Sequence, residues 1–244
     1  MRHTDIFADF LSHFDRHNYA GDVARSKNPL TPNDYVVAAV KFIEKQSLSS
    51  MTMRALGDEM GVDATALYRH FPNKESLIDA MIDWFIGQAL TLSDTGADLP
   101  PRQRMISQAK ALRQVFEKYP DIGLSIVHSE GASMNGFLFS RRGIDALREL
   151  GLQGRDLVRC YQAIESFIMG SCVQDFSGSP HNMEVRRTRY RYFEIEEFDE
   201  QSRSADEVRK VTEEGFDLAI NAILDRFEEL AHKAPKQSTK SRSV

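Results

Sequence analysis

Apolar residues recur at helical spacing along most of this chain. Met105, Ala109, Leu112, Phe116 and Tyr119 follow one another at steps of 4, 3, 4 and 3, the stripe of an amphipathic helix. Val36, Val37, Val40 and Ile43 mark an earlier helix, opened by Thr31 as cap and Pro32 at the first helical position and running to about Gln46. Asn73 caps a third helix, from Lys74 to about Leu92, and Leu77, Ile78, Met81, Trp84, Phe85 and Leu90 make it apolar enough to bridge two domains. Further helices are predicted over 120–129, 133–150 and 156–176, and Ser204-Ala205-Asp206-Glu207 is a capping box opening a last one to about His232. No stretch reads as a run of alternating strands, so the pattern predicts an all-α chain.

Residues 52–74 divide more finely, into two short helices and a tight turn. Thr52 caps the first, Met53 to Met60; Gly61 stops it with the positive φ a helix end favours; Val62 plugs the turn; Asp63 caps a second helix over 64–71. Barely two turns long, the second helix is unstable alone in water and must be held by packing. It keeps small and polar side chains, Ala64, Thr65, Arg69 and His70, on its outer side. A rigidly held short helix with a polar face outward is what a helix-turn-helix offers to a DNA major groove.

The run Thr52, Arg54, Leu56, Gly61, Val62, Leu67, Tyr68, His70, Phe71, Asn73 and Lys74 resembles the TetR/AcrR family of bacterial transcriptional regulators, over about fifty residues from Thr31 to Trp84. The resemblance implies a three-helix helix-turn-helix domain over 31–92 and a helical-bundle ligand-binding and dimerisation domain over 93–233. Residues 1–30 form an N-terminal extension with an amphipathic stretch (Ile6, Phe7, Phe10, Leu11, Phe14), and the basic residues 234–244 read as a disordered tail. Arg54 and the outer side of the second helix (Ala64, Thr65, Arg69, His70) are the expected base readers, since an arginine can hold guanine O6 and N7 together. Tyr68 and Lys74 correspond to the family's phosphate contacts, and Thr52 stands at a helix N-terminus where a phosphate is also favoured. Packing roles for His70 and Tyr68 stay open.

Two features point to a second copy of the chain. In the last helix, Phe216, Ile220, Ile223, Phe227 and Leu230 form one apolar stripe, and Val208, Val211, Gly215, Ala219 and Ala222 a second. Helix 156–176 adds the small residues Ala163, Gly170 and Ser171. A twofold homodimer would meet a palindromic operator on double-stranded DNA. The helices over 103–176 are also rich in Met and aromatic residues, a pattern found more often in a filled core than around a cavity. The resemblance implies a small effector between these helices, with Phe116, His128, Met134, Phe137, Tyr161, Glu165, Met169 and Cys172 near it and Glu165 and His128 as its polar outliers.

Net charge is −5, and residues 31–85 hold five Lys/Arg against eight Asp/Glu, so DNA binding must rest on where the cations stand rather than on their number. Cys160 and Cys172 make no disulfide framework and suit a reducing cytoplasm. No run of eighteen apolar residues suggests a membrane span. An enzyme is the first rival reading, but there is no Gly-x-Ser-x-Gly elbow, phosphate-binding glycine loop or HExxH; His13-Phe14-Asp15-Arg16-His17 lacks the glutamate. No cofactor or metal is expected. A DNA-binding regulator without ligand, controlled by a protein partner, is the second rival. The expectation is a cytoplasmic homodimeric repressor released by a small, mostly apolar effector.

Overall fold

A computed structural model describes residues 30–93, 99–126, 133–174 and 180–233, and all regular structure among them is helical. The helices are α1 (Pro32–Lys45), α2 (Met53–Met60), α3 (Ala64–Tyr68), α4 (Lys74–Leu92), α5 (Pro101–Lys118), α6 (Pro120–Ser125), α7 (Met134–Glu149), α8 (Gly154–Gln174), α9 (Pro180–Arg191), α10 (Glu196–Gln201) and α11 (Ala205–Lys233). The extension 1–29, the tail 234–244 and His128 lie outside the described residues.

Local chemistry sets the helix starts. Thr31 Oγ1 accepts the Asp34 amide while Asp34 Oδ2 accepts the Thr31 amide at 2.7 Å, a reciprocal cap on α1. Asn73 Oδ1 accepts from Ser76 at 2.8 Å at the head of α4, and Ser133 Oγ from Gly136 at 3.1 Å at the head of α7. The inward face of α1 is rotated from the predicted one. Tyr35, Val36, Ala39, Val40 and Phe42 are buried, while Val37 and Ile43 are only half-buried. The larger aromatic side chains take the core-facing positions because they remove most apolar area from water.

Helix α4 joins the two ends of the molecule. Its buried residues Leu77, Met81, Ile82, Phe85, Ile86 and Ala89 belong to one core shared with α1–α3 on one side and with Ala111, Leu112, Val115 and Phe116 of α5 and Ile122 of α6 on the other; α4 contacts α1, α5 and α6 directly. A second core joins Met105 and Ala109 of α5, Ala146 and Leu147 of α7, Cys160 and Ile164 of α8, and Phe216, Ile220, Leu224 and Phe227 of α11. Three polar ties lock the frame. Asp83 on α4, itself buried, accepts the Asn135 amide at 2.8 Å and its side-chain Nδ2 at 3.0 Å, so a carboxylate from one helix caps the start of another. Arg113 on α5 is buried, pairs with Glu213 of α11 at 3.1 Å and lies 4.3 Å over the Phe216 ring. Tyr119, between α5 and α6, donates its hydroxyl to Glu44 of α1 at 2.5 Å, and its ring lies tilted, 4.4 Å from that of Phe85.

Three sequence expectations are corrected here. The second helix of the turn motif ends at Tyr68 and not at Phe71: the amides of His70 and Phe71 both fold back onto the Leu67 carbonyl at 2.9 Å. Between the helix predicted over 156–176 and the capping box at Ser204 the hydrophobic pattern predicts no helix, yet α9 and α10 lie there. Their charges sort by helix end, Arg189 and Arg191 in the last turn of α9 and Glu196, Glu197 and Asp199 in the first turn of α10, as the helix dipole favours. Tyr190, Phe193 and Phe198 cluster across that junction. On α11, Val208 is fully buried, so the second apolar stripe is not wholly free.

Candidate nucleic-acid interface and effector cavity

The turn between α2 and α3 is tight for two reasons. Gly61 has φ +68, with its amide on Asp58 O, and the Val62 amide returns to Gly57 O at 2.9 Å. Gly57 is the less obvious requirement: a Cβ there would sit 2.9 Å from the Val62 carbonyl and 3.3 Å from the Ala64 amide nitrogen. Leu56 and Leu67, both fully buried, then clamp α2 and α3 against α1 and α4. Thr52 Oγ1 accepts the Ala55 amide at 3.0 Å and Asp63 Oδ1 the Thr65 amide at 2.8 Å. Hydrogen bonds from Thr65, the side-chain one first, lower the Asp63 carboxyl pKa from its ordinary value.

With Leu67 inward, Thr65, Tyr68, Arg69 and His70 are exposed together with Thr52 and Arg54 on α2, and Ala64 is half-buried. Tyr68 leaves 52% of its surface open, a large exposed ring on a helix whose opposite side is core. His70 is tied on one side: its ring lies 5.4 Å from that of buried Tyr35, so it packs on α1 while its other side faces solvent. Lys74, an expected phosphate contact, also has a partner within the protein: the half-buried residue donates from Nζ to the Leu48 carbonyl at 2.9 Å, fastening the start of α4 to the loop after α1.

At the other end of α4, a cavity of about 140 Å³ opens between α4, α5, α7 and α8, with Ile126 at its edge. Its walls follow helical repeats: Met105, Gln108 and Leu112 on α5; Gly136, Phe139, Ser140 and Gly143 on α7; Tyr161, Ile164, Glu165, Ile168 and Met169 on α8; Ile86 comes from α4. The space exists partly because α7 presents two glycines seven residues apart. A Cβ on Gly143 would meet nothing within 4 Å. One polar group stands out. Glu165 accepts the Tyr161 hydroxyl at 2.6 Å on one oxygen and Gln162 Nε2 at 3.2 Å on the other. Burial, then the bond to Glu165, pushes the Tyr161 phenol above its ordinary pKa, so it remains a donor. Gln108 Nε2 is spent on the Phe139 carbonyl at 2.5 Å.

Of the residues the sequence nominated here, Tyr161, Glu165 and Met169 line the cavity. Phe116 and Cys172 do not: both are buried in the core joining α4, α5 and α6. Phe137 is 41% exposed, and Met134, at the start of α7, is half-buried away from the lining. The signal for this space in the sequence is the glycine pair Gly136 and Gly143, seven residues apart and so on one helix face. No group of three His, Cys, Asp or Glu that could hold a metal occurs among the described residues.

Comparison with known proteins matches both halves of this arrangement. Residues 36–81 fit the family described as bacterial regulatory proteins, tetR family, and residues 98–229 fit the tetracyclin repressor-like C-terminal domain. The chain belongs to the TetR family. Among relatives, the tetracycline repressor protein class A of transposon 1721 from Escherichia coli is 28% identical over 61% of this chain and 68% of its own length. Curated relatives align over 53–68% of their own length. ActR of Streptomyces coelicolor in complex with actinorhodin has a similar fold, with TM-score 0.66 at 18% identity, over 84% of this chain and all of that one. So does BioQ of Mycobacterium smegmatis with its natural double-stranded DNA operator, with TM-score 0.58 at 22% identity, over 82% of this chain and 99% of that one. This TetR-family chain is a transcriptional regulator with a helix-turn-helix, and the enzyme reading is set aside. Among the described residues no helix is long and apolar enough to cross a membrane.

Proposed function

We propose that this TetR-family regulator is a homodimeric repressor that binds a palindromic operator and is released by a small effector in the cavity behind α4. The observation that carries the reading is the shared helix: α4 stands beside the recognition unit at its Leu77 end and gives Ile86 to the cavity wall nine residues later. A ligand that prefers another tilt of α4 changes the separation of two recognition helices, which must sit about 34–36 Å apart to enter successive major grooves. Repression is relieved only by the ligand's differential affinity for the two states. Arg54, Thr65 and Arg69 are the proposed base readers, with Ala64 small enough to let the helix seat closely; Tyr68, Thr52 and the free edge of His70 reach the backbone. Lys74 acts mainly by holding the loop before α2.

Support for a twofold dimer comes from the outward faces of α8 and α11. Val158, Ala163, Ser166 and Gly170 on α8 and Gly215, Leu218 and Ala222 on α11 are exposed, with Leu218 at 75%. Small residues beside a bare leucine let helices from two copies approach closely. Binding of the full-length protein to duplexes selected from a random pool, read by fluorescence anisotropy against salt, tests the DNA reading. Arg54→Ala should relax base preference at one position of each half-site by about 1–3 kcal/mol. Selection that yields no enriched duplex, or an affinity indifferent to salt, would remove the reading. The ligand-free alternative loses ground to the cavity itself.

A further inference from the structure

The cavity has an apolar body and one charged group, and that asymmetry points to the chemistry of its occupant. We propose that the effector is an organic cation, an amine or ammonium on a body of about one six-membered ring, with its charge against Glu165; this rests on the effector reading above. The size follows from the cavity of about 140 Å³, close to the engineered apolar cavity of roughly 150 Å³ in another protein that holds benzene. Ile86, Met105, Leu112, Ile164 and Ile168 supply the apolar walls.

The charge follows from what surrounds the carboxylate. Both oxygens of Glu165 are met by neutral donors, the Tyr161 hydroxyl and Gln162 Nε2, which orient the group and bring no counter-charge. No Lys, Arg or His is found among the described residues of the lining. The arginines beside the lining on α7 are engaged elsewhere, Arg141 with Asp145 and Arg142 with the Leu90 carbonyl. An anionic ligand would be repelled, and a neutral one would strip water from Glu165 without returning a counter-charge. A cation restores the lost solvation, and the Tyr161 and Phe139 rings on the same walls favour it further.

Three probes of one shape separate the possibilities: 2-phenylethylamine, 2-phenylethanol and 3-phenylpropanoate, measured on the full-length protein by calorimetry and thermal shift at neutral pH. The amine should bind at least tenfold tighter than the alcohol, about 1.4 kcal/mol, and the carboxylate more weakly than either. Glu165→Gln, close in shape and still able to accept the Tyr161 hydroxyl, should bring the amine down to the alcohol. Tyr161→Phe, which removes a neutral donor and leaves the charge, should keep the amine preference. Alcohol or carboxylate binding as tightly as the amine, or an amine preference that survives Glu165→Gln, overturns the cation assignment and leaves the effector cavity standing. If none of the three shifts the wild-type protein, the cavity reading falls with it.

Discussion

Gly143 offers a direct measurement of whether the space between α5, α7 and α8 is hollow. It lies within α7, and a Cβ built on it meets nothing within 4 Å. Gly143→Ala therefore gains helix propensity, about 0.8–1 kcal/mol, without meeting a neighbour. At about 2–4 °C per kcal/mol for a chain of this size the melting temperature should rise by a few degrees. Urea denaturation should show a higher midpoint at unchanged slope. Gly143→Leu carries the argument further, since its side chain would occupy much of the roughly 140 Å³ and compete with any ligand. Gly136, seven residues earlier on the same wall, is the internal control. A Cβ there would stand 2.6 Å from Ser133 Oγ and disturb the cap of α7, so Gly136→Ala should lose about 0.5–2 kcal/mol. Were Gly143→Ala destabilising, or Gly143→Leu to cost the roughly 1–3 kcal/mol of an overpacked core, the site would be filled and the reasoning wrong.

Gly57→Ala should weaken operator binding and stability together, because its methyl would meet the Val62 carbonyl at 2.9 Å and push α3 away from α2; near-wild-type affinity would show that the turn tolerates a side chain. Leu218→Glu places a charge in the middle of the proposed dimer face, and analytical ultracentrifugation should find monomer where the wild type is dimeric; an unchanged dimer moves the interface elsewhere. The hydrogen bond from Tyr119, first among its causes, lowers the pKa of Glu44. That contribution to stability is present above the unfolded-state carboxyl pKa and lost as pH falls through the lowered folded value. Tyr119→Phe should flatten this acid limb in chemical denaturation across pH; an unaltered limb would mean the bond is not formed in solution.

The turn motif was readable because its constraints are local: a positive φ at Gly61, caps at Thr52 and Asp63, and Leu67 on the opposite side from Thr65 and Arg69. The cavity was readable in part, at Glu165, where a polar residue broke an apolar run, and at Tyr161 and Met169 of the same helix. Phe116 and Cys172 have the same composition as wall residues, and only the packing of α4, α5 and α6 shows that they point into filled core. Lys74 shows a different gap. A basic side chain at a helix start can donate to a phosphate or to a nearby carbonyl, and only the position of the loop carrying Leu48 reveals the second bond.

Helix α3 is five residues long and commits one side chain, Leu67, fully to the interior. Its backbone is held by Asp63, which the Thr65 side chain also bonds, by the Gly57 approach and by the returning amides at 70 and 71, none of which depends on the side chains at 68 or 69. Substitutions at those two surface positions therefore leave the fold nearly untouched, usually within about 0.5 kcal/mol. On the proposed reading, operator preference can drift through them, one mutation at a time, along a path where every intermediate still folds. The family's scaffold can thus diverge in the sequences it reads while its thermodynamics stay still.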